Sequence, residues 1–171
     1  HGFKYTGVLR VFNVLLSYDY LWNNIRVKGG AYGCSAVFSR SGNAGFVSFR
    51  DPNVSNTNKI YEGIVDYAKN FTANDREMTK SVIGAISEMD TPLTPAGEGM
   101  KGLSAYYSKV RREDMQKERE EALNTSEADI RGLVPLMEAV LSDNLICAVG
   151  NADLIEKDSG LFKEVKHLFK D

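Results

Sequence analysis

The 171-residue chain has only two histidines, His1 and His167, near its opposite ends. A zinc site needs three protein ligands and an open position, and two histidines at opposite ends of the chain form no His-x-x-Glu-His or other zinc-ligand pattern, so no metal-binding motif is present in the sequence. Cysteine is as scarce. Cys34 and Cys147 both lie inside strand-like apolar runs, and neither has a histidine close in sequence to activate it as a nucleophile. Two cysteines make neither a disulfide framework nor a zinc knuckle; buried free thiols in a reducing compartment are the simpler reading, with a Cys34–Cys147 bridge left open. No apolar run approaches the roughly 20 residues of a spanning helix, and no charged segment followed by an apolar one marks a secretory signal. Neither sign of charge dominates: 21 Lys and Arg face 23 Asp and Glu, a formal net charge of −2. No whole-chain field therefore draws nucleic acid or an anionic membrane, and neither is expected as a partner. A Gly-x-Ser-x-Gly elbow is missing, and Gly29-Gly30 lacks the rest of a dinucleotide fingerprint or a P-loop.

The length supports one domain over 1–171 with a real core and is too short for two ordinary ones. The chain starts at His1 rather than Met, as expected of a processed product or an excised piece of something longer. Its strongest signal is a junction. Leu21-Trp22-Asn23-Asn24-Ile25-Arg26-Val27-Lys28-Gly29-Gly30-Ala31-Tyr32-Gly33 reads as an amphipathic helix that stops at a glycine pair and opens into a strand. Tyr18, Leu21, Trp22 and Ile25 fall at the spacing of one buried helix face, Asp19 is the expected N-cap, and Gly29 or Gly30 can supply the left-handed C-cap. In a strand starting near Ala31, Tyr32 and Cys34 point to one side and Ala31 and Gly33 to the other. Arg26 and Tyr32 would then converge on one polar atom. The bland alternative is an arginine offsetting a helix dipole and a tyrosine packed at a strand end.

Around the junction, Gly7 to Leu16 is apolar on more than one side and predicts a central buried helix. Ala31–Arg40 and Gly45–Asp51 predict a hairpin turning at Ser41-Gly42-Asn43-Ala44, and Arg50-Asp51-Pro52-Asn53 reads either as an Asx-type turn or as a fixed wall of a site. Ile60, Ile64, Tyr67, Ala68 and Phe71 share a helical face; Asn74 and Glu77 form a capping box for a helix to about Met89. Gly97, Gly99 and Gly102 leave the next helix loosely specified, and the charge run from Lys109 to Glu121 is expected to be a solvated face. Ser126 with Asp129 starts a further helix that Pro135 interrupts. Leu145 to Val149 predicts a central strand, Asn151 or Asp153 a cap, and Phe162, Val165, Leu168 and Phe169 a closing helical stripe. Together these give an α+β fold, an antiparallel sheet packed against several helices in two layers. Three strands are few for so many helices, so the sheet is expected to lack its first strands.

The run Ile25 to Gly33, the hairpin after it and Phe49-Arg50-Asp51-Pro52-Asn53 closely resemble the C-terminal domain of pitrilysin/insulinase-type zinc metallopeptidases, specifically the presequence-protease branch. The similarity extends through Lys80-Ser81-Val82-Ile83-Gly84 and Lys117-Glu118-Arg119-Glu120-Glu121 to the late strand. This resemblance implies a clam-like enzyme whose two halves enclose peptides, with Zn2+ held by an inverted His-x-x-Glu-His motif in an N-terminal catalytic half. That motif does not occur in this chain, so the resemblance places the metal outside it and implies that the chain is inactive alone. It also implies that Arg26 and Tyr32 reach the substrate near the scissile bond, with Gly29, Gly30 and Ala31 along the substrate's path. Donors aimed at the carbonyl oxygen stabilise the charge that builds there during metal-assisted hydrolysis. The Tyr-bearing strand is in addition a candidate for pairing with extended peptide. By the same resemblance the compartment is cytoplasmic in a bacterium and an organellar matrix in a eukaryote. A non-catalytic structural or peptide-binding relative is the alternative.

Overall fold

Helix α1 (Val8–Leu15) carries Leu9, Val11, Phe12 and Leu15 into the core, as its all-round apolar sequence requires. The computed structural model, which describes residues 2–167, continues this helix into two wider π-type stretches, Leu16–Tyr20 and Trp22–Val27. There the backbone bonds span five residues, as from the Leu21 N–H to the Leu16 carbonyl and from the Lys28 N–H to the Asn23 carbonyl. Two expectations fail for that reason. Asp19 lies within a helical turn rather than capping a new one; its carboxylate accepts from Asn23 Nδ2 at 3.1 Å and from the Tyr67 hydroxyl at 3.3 Å. And a ladder with more than 3.6 residues per turn splits the expected stripe: Leu21 and Ile25 are fully buried, whereas Tyr18 is 68% exposed and Trp22 lies at the surface.

Strands β1 (Gly33–Phe38) and β2 (Ala44–Phe49) form the antiparallel hairpin, with Gly33 opposite Phe49 and Phe38 opposite Ala44. Gly42 takes a positive φ of 90° at its tip, a conformation glycine adopts without a Cβ clash. Ala36, Phe38 and Phe46 face the core, while Val37, Val47 and Phe49 are exposed. β1 starts two residues later than expected, and the bend before it resets the alternation, so Ala31 is buried and Tyr32 is out.

Helices α2 (Val54–Glu62) and α3 (Ile64–Lys69) divide at Gly63, where a Cβ would meet the Tyr20 hydroxyl at 2.4 Å. The capping box of α4 (Asp75–Met89) forms as expected, the Asn74 side chain accepting from the Glu77 N–H and Glu77 from the Asn74 N–H, each at 3.0 Å. Helix α5 (Pro95–Tyr107) starts on a Thr94 cap with Pro95 in its first turn. In α6 (Arg112–Leu123) the charge run is solvated as expected except at one residue: Glu118 is 4% exposed and pairs with both Arg10 and Arg40. A carboxylate that deep needs its partners, and they tie α6 to α1 and to the hairpin loop. Helices α7 (Glu127–Arg131) and α8 (Val134–Ser142) separate ahead of Pro135, and Asn151 caps α9 (Ala152–Lys157).

The expected strand at 145–149 is not formed. Its residues take no regular structure and pair with no strand among the described residues, and Leu145 and Val149 are 81% and 77% exposed. β-rich composition needs a ladder partner to become a strand. Cys147 is accordingly exposed rather than buried, and both cysteines are free. Phe162 and Val165 follow the short 3₁₀ turn Ser159–Leu161 without helix, and Leu168 and Phe169 lie outside the described residues. The class is α+β, with the hairpin laid against α1 and the helices around it.

Candidate functional site

The helix-to-strand junction is built by its glycines. Gly30 has a φ of 79°, and the N–H groups of Gly30 and Ala31 return to the carbonyls of Arg26 and Ile25 at 3.0 and 3.1 Å. This nested pair is a Schellman-type cap widened to match the π turn before it. Gly29 admits no side chain, since a Cβ there would sit 2.5 Å from the Ile25 carbonyl oxygen. The donors of Gly30 and Ala31 are thus spent on the cap, and Ala31 is buried. What these residues supply is the shape of the corner.

Arg26 and Tyr32 sit on its two arms. The Arg26 guanidinium lies 3.9 Å from the centre of the Trp22 ring; stacking of this kind uses the planar face and leaves the N–H edges available. Tyr32 is 65% exposed and its ring meets Phe49 edge-on at 5.9 Å. No hydrogen bond or ring contact joins Arg26 to Tyr32. The cation over the Tyr32 ring is Arg50, whose Cζ is 5.5 Å from the Tyr32 ring and 5.4 Å from that of Phe49. Arg50 has a φ of 48°, a left-handed conformation costly for a residue with a Cβ.

The turn that follows answers the open question about Arg50-Asp51-Pro52-Asn53. Asp51 does form the Asx turn, its Oδ1 accepting from the Asn53 N–H at 2.9 Å, and its Oδ2 also accepts from the buried Thr57 hydroxyl at 2.7 Å. Asn53 Nδ2 donates to the Gly29 carbonyl at 2.5 Å, and the Tyr32 N–H donates to the Phe49 carbonyl at 3.1 Å. The turn is therefore also bonded to the junction. Sequence reasoning flags these residues but misses their partner; the Asp-Pro-Asn signal marks the turn and not what it holds. Cys34 lies between the two charges of this region: burial and the Asp51 carboxylate push its thiol pKa up, and Arg26 opposes them. Beside Cys34, a cleft along the edge of β1 away from β2 is lined by Ser17, Tyr18, Trp22 and Ser35. Among the described residues that edge pairs with no other strand, and no three His, Cys, Asp or Glu side chains cluster so as to hold a metal ion.

Comparison with known proteins adds a second line. The family model described as the PreP C-terminal domain matches residues 1–151. Protein HypA of Clostridium perfringens is 41% identical over 170 residues, covering 99% of this chain and 18% of its own length. Presequence protease 1, chloroplastic/mitochondrial, of Arabidopsis thaliana is 32% identical over 169 residues, 96% of this chain and 16% of its own length. The mitochondrial presequence protease of Xenopus laevis is 30% identical over 122 residues, 71% of this chain and 12% of its own length. The chain spans less than a fifth of the length of each of these relatives.

Proposed function

This chain belongs to the family of PreP C-terminal domains, and from that membership we propose that it completes the substrate site of a zinc-dependent, peptide-degrading metallopeptidase. Its partners are then the peptide and the N-terminal catalytic half of the same protein. The described residues do not fit a zinc site, so the metal belongs to the rest of the enzyme and the part assigned to this chain is donation. Tyr32 and Arg26 donate to the scissile carbonyl as negative charge develops on its oxygen, while Gly30 borders the peptide's path and Gly29 and the buried Ala31 shape the corner beneath it. Because the donors and the metal come from different halves, reaction requires the halves to meet around the substrate. The compartment proposed is cytoplasmic in a bacterium and an organellar matrix in a eukaryote.

One observation carries this reading. The corner at Gly29-Gly30 presents two strong donors whose capacity is unspent: among the described residues the Tyr32 hydroxyl has no hydrogen-bond partner and Arg26 makes no ion pair. Both groups are open to solvent, Tyr32 being 65% exposed, so a substrate can claim them without breaking a bond within the chain. In the complete enzyme, Tyr32→Phe and Arg26→Ala are each expected to lower kcat by about 10²-fold, the usual cost of losing one such donor, with zinc content unchanged. The isolated chain should cleave no peptide. Unchanged kinetics, or loss of the metal, would overturn both donor roles and favour the non-catalytic alternative.

A further inference from the structure

Asn53 stands at the N-cap position of α2, where an asparagine side chain ordinarily accepts a hydrogen bond from its own helix. In this molecule it makes no such bond. An N–H of that first turn is served instead from a distance, Ser55 donating to Asp158 Oδ2 at 3.2 Å. The Asn53 carboxamide is turned away and donates to the carbonyl of Gly29, 24 residues earlier in the chain. It is held in that attitude from both sides. Asp51 accepts from the Asn53 N–H, and Asp51 is in turn fixed by the buried Thr57 hydroxyl from the next turn of α2. Arg50 is left in its left-handed backbone conformation where this tight turn leaves β2.

Gly29 is the residue between the two arms of the site. Arg26 is on the helix that ends there, and Tyr32 follows the cap that Gly30 closes. We propose that Asn53 is a positioning residue, holding the Gly29 carbonyl so that the Arg26 and Tyr32 donors keep a fixed separation and direction. The inference rests on the donor roles proposed above. Its physical basis is that a glycine pair is the most freely rotating element of a backbone, so a corner built on one holds catalytic geometry only if it is tied from outside. Misplacement of donors by about 1 Å can cost up to about 10²-fold in rate.

The test uses the complete enzyme with Asn53→Ala and Asn53→Asp. The aspartate keeps the size and shape of the side chain but replaces the N–H donor with a charged acceptor, and the alanine removes the donor without adding charge, so a loss shared by both reports the hydrogen bond. Both variants are expected to lose about 10-fold in kcat with KM changed less than about 2-fold, and zinc content and melting temperature should stay near the parent values. In an Arg26→Ala/Tyr32→Phe background the same substitutions should have less than about a 2-fold further effect, because nothing remains to be positioned. An Asn53→Asp enzyme with parental kcat would overturn the inference, and so would a full additive loss in the background lacking both donors. If Arg26→Ala and Tyr32→Phe are themselves without effect, the donor reading falls first, and that result is distinct from these two.

Discussion

From Arg26 to Thr57 nearly every turn is tied to another one, by the widened cap at Gly30, by Tyr32 on Phe49, by Asn53 on Gly29 and by Thr57 on Asp51. Helix α5 and the irregular stretch after α8 are built differently. α5 buries none of its residues, and Met100, Tyr106 and Tyr107 are 64%, 79% and 75% exposed; Leu145 to Val149 runs beside no partner strand. Local stability follows the density of such ties. The contrast puts the dense ties at the helix-to-strand junction, where the two proposed donors sit, and leaves apolar surface uncovered elsewhere among the described residues.

The same substitution in a packed and in an open part of the molecule should therefore have opposite signs. A Cβ on Gly7 would lie 1.9 Å from the Glu118 carbonyl oxygen and 2.6 Å from the Ala122 nitrogen, both backbone atoms of α6. Backbone cannot step aside as a side chain can, so Gly7→Ala should cost more than about 3 kcal/mol in chemical denaturation. Gly99, inside α5, has nothing within 4 Å of its Cβ position. Gly99→Ala should raise stability by about 0.5–1 kcal/mol through helix propensity and a less flexible unfolded chain. Two substitutions of equal sign would remove the contrast.

The behaviour of the tied region at high pH gives a smaller effect. Tyr61 of α2 stacks on Phe46 of β2 with centroids 5.5 Å apart, and burial pushes its pKa up to about 12. An unfolded tyrosine titrates near about 10. The folded pKa is the higher one, so the stability this group contributes is complete below about pH 10 and is lost as the pH rises toward about 12. Tyr67, raised by burial and by Asp19, acts in the same direction. Unfolding curves across that window should fall less steeply for Tyr61→Phe than for the parent. Parallel decline would assign the loss to other groups.

Much of this is readable in the amino-acid order, for reasons that divide along the same line. The boxes at Asn74–Glu77 and Ser126–Asp129 and the interruption ahead of Pro135 are each contained in a few neighbouring residues, and all form as read. The π turns are hidden because apolar spacing marks which residues are hydrophobic and not which carbonyl each N–H will choose. Glu118 reads as a surface residue because its partners are 108 and 78 residues away. Leu145 to Val149 reads as a strand because propensity is local and pairing is not. At the site, Gly30 and the hairpin are legible, while the Asn53 bond is not, since asparagine before a helix reads first as its cap.

The two cysteines sample the tied and untied regions within a single molecule. Cys147 is exposed in the unpaired stretch, whereas Cys34 is half-buried at the junction. The thiolate is the species that alkylates, and burial together with the Asp51 charge holds Cys34 in its neutral form. Iodoacetamide in mildly alkaline buffer should therefore modify Cys147 well before Cys34, with each site followed by mass spectrometry of its own peptide. Arg26 is the charge that favours the Cys34 thiolate, so Arg26→Ala should slow Cys34 further and leave Cys147 unchanged. Faster labelling of Cys34 in that variant would mean that Arg26 protects the thiol by covering it, and equal rates in the parent would mean that the junction is as open as the periphery.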